Sequence, residues 1–350
     1  MTNTLKGKDI LATSDWSKSE LDQVLDLAFK FKKMGAAART LDILKGKTLL
    51  LLWFRRSTRT WNSFTGAMEQ LGGFVRSRDT TDMHLSISGK PKRGGESIKD
   101  TALVLDEYID ALGIRLSYPT PETVEDRVPK WGDTHAIIQQ FADYMKAPIL
   151  SMSSDLHHPT QSLTDMMVMK EQAGDVTGKK SVLMWTYSPR AQGRGSANGF
   201  PLISATYGMD VTIVHPEEYD LEPSIISLIQ KECAKAGGKF EISHDPKSAL
   251  EDADFVYPRN WRVYYYGSED EEQSIATKYK DWRLTESLLR VTNNARFMHT
   301  MPFTRGYEVD ASVADGPNSI IYQQAGDLLH VRKAFLALIL ADESSLLERI

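Results

Sequence analysis

The sequence predicts an α/β protein with two doubly wound parallel-sheet domains. Three observations carry that expectation. Short apolar runs of strand length alternate with stretches of helical period along most of the chain. Polar residues suited to ligands follow several of those runs, where open α/β sheets bind them. At 350 residues and 41% hydrophobic content, the chain is long enough for two domains of ordinary size. We place the first domain at residues 1–155, the second at 156–325 and a closing helical segment at 326–350.

The elements follow in order. Asp15-Trp16-Ser17 opens a helix to about Met34, with an apolar stripe of Leu21, Val24, Leu25, Leu27 and Ala28. The run Thr48–Phe54 reads as a strand and feeds into Ser57-Thr58-Arg59-Thr60; a helical pattern then continues to Leu71, where Gly72-Gly73 stops it. Strand, polar turn and helix start together make an anion site. The first-turn N–H groups lack intrahelical acceptors and the helix dipole favours negative charge there. Ser57, Thr58 and Thr60 add hydroxyl donors, and Arg59 adds a planar fork. An ordinary N-capped helix with solvent-facing arginines would use the same residue types.

Phe74-Val75-Arg76 reads as a second strand. It leads to a long polar stretch from Ser77 to Ser97 that holds Ser88, Lys90 and Lys92. That length suggests a functional loop, with a solvated surface loop as the competing reading. Glu96–Thr101 begins a helix carrying Ala102, Leu103, Leu105 and Tyr108 on one side. Ile109–Ile114 is a buried strand ending at Arg115. Residues 128–146 are helical, and 148–152 form another short strand. His158-Pro159-Thr160-Gln161 then starts a helix; proline suits its first turn, and His158 and Gln161 share a face near its positive end. The adjacent His157 is given no role.

Lys179–Trp185 begins a second strand–helix series, with Trp185, Asn198 and a helix to Tyr207 following. The next strand is Met209–Pro216. Gly193 and Gly195 are followed by Asn198 rather than a third glycine, so a dinucleotide fingerprint is incomplete and a dehydrogenase is disfavoured. Residues 249–255 read as a short helix and turn before Val256–Trp261. Tyr264-Tyr265-Tyr266 suits a surface, a subunit contact or a pocket equally. Leu328–Leu340 closes the chain as an amphipathic helix.

Composition narrows the function. Net charge is −5, so no basic field argues for nucleic acid or an anionic membrane. Cys233 is the only cysteine, which excludes an intramolecular disulfide and a cysteine metal cluster. The histidines are scattered without ligand spacing, so neither a metal nor another cofactor is expected. The first residues lack an apolar signal core and no apolar run approaches membrane-spanning length, so a cytoplasmic location is expected.

Three separated motifs carry a resemblance. Ser57-Thr58-Arg59-Thr60 with Asn62-Ser63-Phe64, His158-Pro159-Thr160-Gln161, and His299-Thr300-Met301-Pro302 occur in the order found in the aspartate/ornithine carbamoyltransferase family. Trp185-Thr186-Tyr187-Ser188-Pro189 resembles the branch that uses N-acylated ornithines. Trp61, Thr300, Leu328 and the pair Arg259-Asn260 depart from the usual residues. At the last position the branch has lysine-serine, and arginine keeps the charge while favouring bidentate carboxylate contact.

The resemblance implies a carbamoyl-phosphate domain, then an amino-acid domain that is knotted in this branch, and a last helix packing back on the first. It implies transfer of the carbamoyl group to an amine such as ornithine or an N-acylated ornithine. Ser57, Thr58, Arg59 and Thr60 would bind phosphate; Thr60, Arg115 and His158 would polarise the carbonyl. Gln161 and the Met301 backbone would orient the carbamoyl amide, with Arg305 at the family's downstream arginine. Arg259, Trp185, Asn198 and Thr300 would serve the acceptor. Lys90 and Lys92 would reach a neighbouring active site in a homotrimer with sites shared between subunits. A catalytically silent paralogue that binds a metabolite or serves as a structural subunit is the alternative, and the departures are its support.

Overall fold

The computed structural model describes residues 5–87, 95–119, 121–124, 128–189, 192–263, 268–342, 344 and 346. The expected loop contacts Ser88, Lys90 and Lys92 and the run Tyr264–Tyr266 lie outside the described residues. The chain divides into two compact units, residues 1–163 with 326–350, and residues 164–325.

Unit 1 is built on a four-stranded sheet in the order β2-β1-β3-β4. Its strands are β1 (Thr48–Trp53), β2 (Phe74–Asp79), β3 (Ala111–Arg115) and β4 (Ile149–Ser153). All pairings are parallel, with Leu51 opposite Ser77 on one side and Gly113 on the other. Such pairing requires crossovers, and helices supply them. While α1 (Lys18–Met34) precedes β1, between the strands run α2 (Thr58–Gln70), α3 (Ile98–Asp106), the short α4 (Pro121–Val124) and α5 (Asp133–Tyr144), and α6 (Pro159–Ala173) starts after β4. β1 is central and reads as a continuous apolar run because both its faces are covered. Leu50, Leu52, Leu112, Ile114 and Ile149 pack with Ile98, Ala102, Ile137, Ile138 and Phe141.

Several boundaries differ from the sequence reading for local reasons. β2 continues to Asp79, so the stretch expected to start at Ser77 begins at Thr80, and Trp53 Nε1 donates to Ser77 Oγ at 2.9 Å. α5 begins at Asp133 rather than near Val128, because Pro129 precedes and Gly132 sits at φ 87°. On α3, Ala102 is buried but Leu103 is 45% exposed, and Tyr108, 63% exposed, falls past the helix end at Asp106, so the expected single apolar side is split.

Unit 2 contains a parallel five-stranded sheet in the order β7-β6-β5-β8-β9. Its strands are β5 (Lys180–Trp185), β6 (Asp210–Val214), β7 (Phe240–Ser243), β8 (Phe255–Arg259) and β9 (Arg296–Phe297). The helices are α7 (Gly195–Thr206), α8 (Pro223–Ala236), α9 (Pro246–Leu250), α10 (Glu269–Ala276), α11 (Glu286–Leu289) and α12 (Ala311–Ala314). α7 is buried along its length. Sequence reading missed α8, although its signals are present: Glu222 caps it, Pro223 opens it, and Gly237 ends it at φ 84°. Val182, Met184, Val256, Phe297, Leu284 and Val309 form part of the core beneath β5, β8 and β9.

The last helix, α13 (Ile321–Leu340), begins in unit 2, and from Gly326 onward it belongs to unit 1. There Phe335 meets Trp16 edge-on at 5.3 Å.

Candidate active site

The anion half lies in unit 1, at the carboxyl ends of β1, β3 and β4. Ser57 is the N-cap of α2, its Oγ accepting from the Thr60 N–H at 3.4 Å. That leaves the N–H groups of the helix start directed outward at the positive end of the dipole. Two of the three nearby arginines are drawn aside: Arg56 forks onto Asp79, and Arg55 lies 4.7 Å over the Tyr118 ring. Arg59, half-buried, stays within the first turn.

Arg115 ends β3 and is aimed at the same turn. Its Nη1 donates to Thr60 Oγ1 at 3.3 Å and to the Met152 carbonyl at 3.0 Å. Thr60 is buried, so its hydroxyl is held between the helix start and the arginine. His158 and Gln161 are also buried, at the opening of α6. The His158 carbonyl accepts the N–H groups of Gln161 and Ser162 at 3.0 Å each, which fixes the first turn with both side chains on one face. Thus the structure brings Ser57, Thr58, Arg59, Thr60 and Arg115 to one helix start, and sets His158 and Gln161 at a second within the same unit.

Two residues of this half escaped the sequence reading. Asp155, fully buried, accepts from Gly132 N–H and Thr134 Oγ1 at 2.9 Å each and from His135 N–H at 3.2 Å. It ties the start of α5 to the loop ahead of His158. Arg332 of α13 is fully buried, with Nη1 donating to the Thr60 carbonyl at 3.4 Å and to Ser63 Oγ. A signal for Asp155 was its polarity between a strand and His158; Arg332 offered none. His157, left without a role, has its pKa lowered to about 3 by burial, with His135 adding to the shift. It packs edge-on against His135 at 4.9 Å and stays neutral.

Unit 2 gathers a different set at the ends of β5, β8 and β9. Trp185 and Arg259 are register partners. Trp185 is fully enclosed: its Nε1 donates to the Trp261 carbonyl at 3.2 Å, and its ring lies 4.4 Å from that of Tyr219. Its contacts organise an aromatic wall and reach no open surface. Arg259 is buried, and Nη2 reaches the Gly193 carbonyl at 3.4 Å. Its Nε and Nη1 have no hydrogen-bond partner among the described residues. Asn260 latches the adjoining loop, donating to the Thr186 carbonyl at 2.8 Å and accepting from Gln192 N–H at 3.2 Å. Ser188, Asn260, Arg262 and Gln273 line a small recess beside it. Asn198 is buried in the first turn of α7.

Beyond β9, Met301 adopts φ 47° before a cis bond to Pro302, and its N–H donates to His299 Nδ1 at 2.7 Å. His299 Nε2 lies 3.4 Å from Glu308, both side chains fully buried. Burial pushes the Glu308 carboxyl up, but His299, Arg259 and the Thr304 N–H outweigh it and hold it below the usual carboxylate range. Thr300, half-buried, interacts with the Tyr257 phenol, whose pKa burial drives well above its ordinary value. Arg305 is exposed and forks onto Asp315 at 2.6 and 2.8 Å. It therefore stands within unit 2 as a surface ion pair, apart from the buried His299–Glu308 pair.

Fold and site together define a two-unit parallel α/β protein with polar and cationic side chains gathered at its strand ends. Residues 8–171 match the aspartate/ornithine carbamoyltransferase carbamoyl-P binding domain, and residues 197–339 match the Asp/Orn binding domain of the same family. The chain belongs to the aspartate/ornithine carbamoyltransferase family. It is 32% identical to ornithine carbamoyltransferase of Pyrococcus horikoshii, with 97% of this chain and 98% of the relative covered. It is 34% identical to N-acetylornithine carbamoyltransferase of Xylella fastidiosa, covering 94% and 98%. Among solved structures it resembles acetylornithine transcarbamylase complexed with acetylcitrulline, with a TM-score of 0.88, 32% identity, and 96% and 100% of the two chains covered.

Proposed function

We propose that the protein transfers the carbamoyl group of carbamoyl phosphate to the amine of ornithine, an N-acylated ornithine or a related amino acid, releasing phosphate and a ureido product. The observation that carries this reading is the start of α2, capped by Ser57 and faced by Arg115 through Thr60. The amine lone pair attacks the carbonyl carbon, negative charge grows on the carbonyl oxygen, and the C–O bond to phosphate breaks. In this mechanism Ser57, Thr58 and Arg59 hold the dianionic leaving group. Thr60, Arg115 and His158 receive the developing oxyanion, and Gln161 with the Met301 carbonyl orients the amide. Fixed donors of this kind usually supply the largest part of such catalysis, and holding the two reactants in line supplies much of the rest. The departing phosphate takes the proton lost by the amine.

The acceptor half is assigned to unit 2. Arg259, a buried cation with unused donors, suits the carboxylate of an amino acid; Trp185, Asn198 and Thr300 shape its surroundings, and Arg305 serves the carbamoyl side. N-acylated acceptors are favoured by likeness to a transcarbamylase solved with acetylcitrulline. The reading includes a knotted second domain, a cytoplasmic location, and a homotrimer in which Lys90 and Lys92 serve a neighbouring site. Exposed Phe74, Leu103, Val104 and Tyr108 on unit 1 support self-association.

The test is phosphate release from carbamoyl phosphate with ornithine, N-acetylornithine and N-succinylornithine in turn, with mass spectrometry for the ureido product. One acceptor should stimulate release and gain 43 mass units (~43, the carbamoyl group replacing hydrogen). Release that no amine stimulates would overturn the reading.

A further inference from the structure

Arg332 has chemistry that a packing role does not use. It lies in a stretch of α13 where Val331, Ala334 and Phe335 are all buried, and its own exposure is 0%. Nη1 donates to the Thr60 carbonyl at 3.4 Å and to Ser63 Oγ, both in α2. Nε and Nη2 each approach Thr160 Oγ1 at 3.4 Å, in the first turn of α6. The guanidinium carbon stands 4.3 Å from the Phe64 ring centre. Each of these partners is neutral, and no carboxylate among the described residues forms an ion pair with it. The charged groups that act on it are Arg115 and Arg59, which add to burial in pushing its pKa well below the usual arginine range.

We propose that Arg332 is a positioning residue of the anion site, clamping the first turn of α2 to the first turn of α6 while its charge is balanced by the phosphate that those turns bind. Thr60 is the pivot. Arg115 donates to its hydroxyl and Arg332 to its carbonyl. A carbonyl and two hydroxyls could be satisfied by a neutral donor. A buried full charge instead requires an opposite charge, because an uncompensated one is costly in a low-dielectric interior. A dianion at the start of α2 would meet Arg59 and Arg115 at its surface and the field of Arg332 from behind. The ligand-free protein therefore carries an electrostatic penalty that binding removes. Neighbouring Lys333 does not share this role: it donates to the Ala38 carbonyl and Gln70 Oε1, away from Thr60 and Thr160.

This inference rests on the anion-site reading above, and the experiment separates the two. Inorganic phosphate is titrated by calorimetry into wild type, Arg332→Met, Arg332→Lys and Arg59→Ala, and melting temperatures are recorded with and without phosphate. Arg332→Met should weaken phosphate binding and raise KM for carbamoyl phosphate by about tenfold or more, the size of an ordinary coupling between groups. Its ligand-free melting temperature should match or exceed wild type, while its stabilisation by phosphate should shrink. Arg332→Lys, which keeps the charge and loses the fork, should recover most of the affinity. Should Arg332→Met not fold, Arg332→Gln reads the same charge loss with hydrogen-bonding retained. A lower ligand-free melting temperature with unchanged phosphate affinity in Met, Gln and Lys variants would make Arg332 merely structural and overturn the inference. Wild type that binds no phosphate, or Arg59→Ala that binds it as wild type does, would overturn the anion-site reading itself.

Discussion

Replacing Arg115 with alanine separates catalytic from structural roles at the anion site. The side chain's hydrogen bonds include those to Thr60 Oγ1 at 3.3 Å and to the Met152 carbonyl at 3.0 Å. Hydrogen bonds to charged groups contribute about 1.5–3 kcal/mol each. The residue is half-buried, and its repulsion with Arg332 disappears in the variant. The net loss of stability should then be about 1–2 kcal/mol, within the 5–15 kcal/mol of an ordinary domain. Catalysis should suffer more. An oxyanion donor lost in a water-poor site lowers the rate by about 10²–10³, or roughly 2.7–4 kcal/mol of barrier. Steady-state assays of ureido product, with circular dichroism to check the fold, would show a folded protein of greatly reduced kcat. A folded Arg115→Ala variant with wild-type kcat and KM would refute the assignment.

Other consequences are equally open to measurement. Asp155→Ala strands three donors around a buried site; the cost should be roughly 3 kcal/mol, lowering the melting temperature by about 6–12 °C, which calorimetry can read. Lys333 is shifted down to about 8, chiefly by burial and then by Arg39. Because its folded pKa lies below its unfolded one, the charged form opposes folding; relative to Lys333→Met, wild type should gain stability as pH rises from about 8 towards about 10.4, read by denaturant midpoints. Glu308 is shifted the opposite way for stability. Its contribution is present above the ordinary carboxylate pKa of about 4.3 and lost as pH falls through the lowered folded value. The advantage of wild type over Glu308→Gln in melting temperature should accordingly narrow in acid. Ser57→Ala should cost about 1 kcal/mol through the lost cap and also weaken phosphate binding; retention of full affinity would place the anion elsewhere.

Local chemistry made much of this architecture legible. The apolar run of β1 followed by Ser57-Thr58-Arg59-Thr60 announces strand, turn and helix because each residue type suits only that order of backbone. The end of β3 at Arg115 was visible for the same reason. Tertiary facts were hidden. Arg332 follows Leu328-Leu329-His330-Val331 in an amphipathic pattern, so on sequence alone it belongs to the solvent face; only burial beside Thr60 and Thr160 shows otherwise. Asp155 resembles any loop aspartate until its three donors are seen. The family resemblance made Trp185 an acceptor-site residue, and local sequence gave no sign that the rings of Tyr219, Tyr279 and Trp282 pack around it. Arg305 pairs with Asp315, ten positions along and beyond the short α12, a contact that no local spacing rule anticipates.

A crystal structure of the protein with carbamoyl phosphate tests the central claim most directly. The account predicts the phosphate oxygens at the first-turn N–H groups of α2 and the Arg59 guanidinium, with the carbonyl oxygen facing Thr60, Arg115 and His158. Carbamoyl phosphate bound at another site, with the start of α2 untouched, would contradict it.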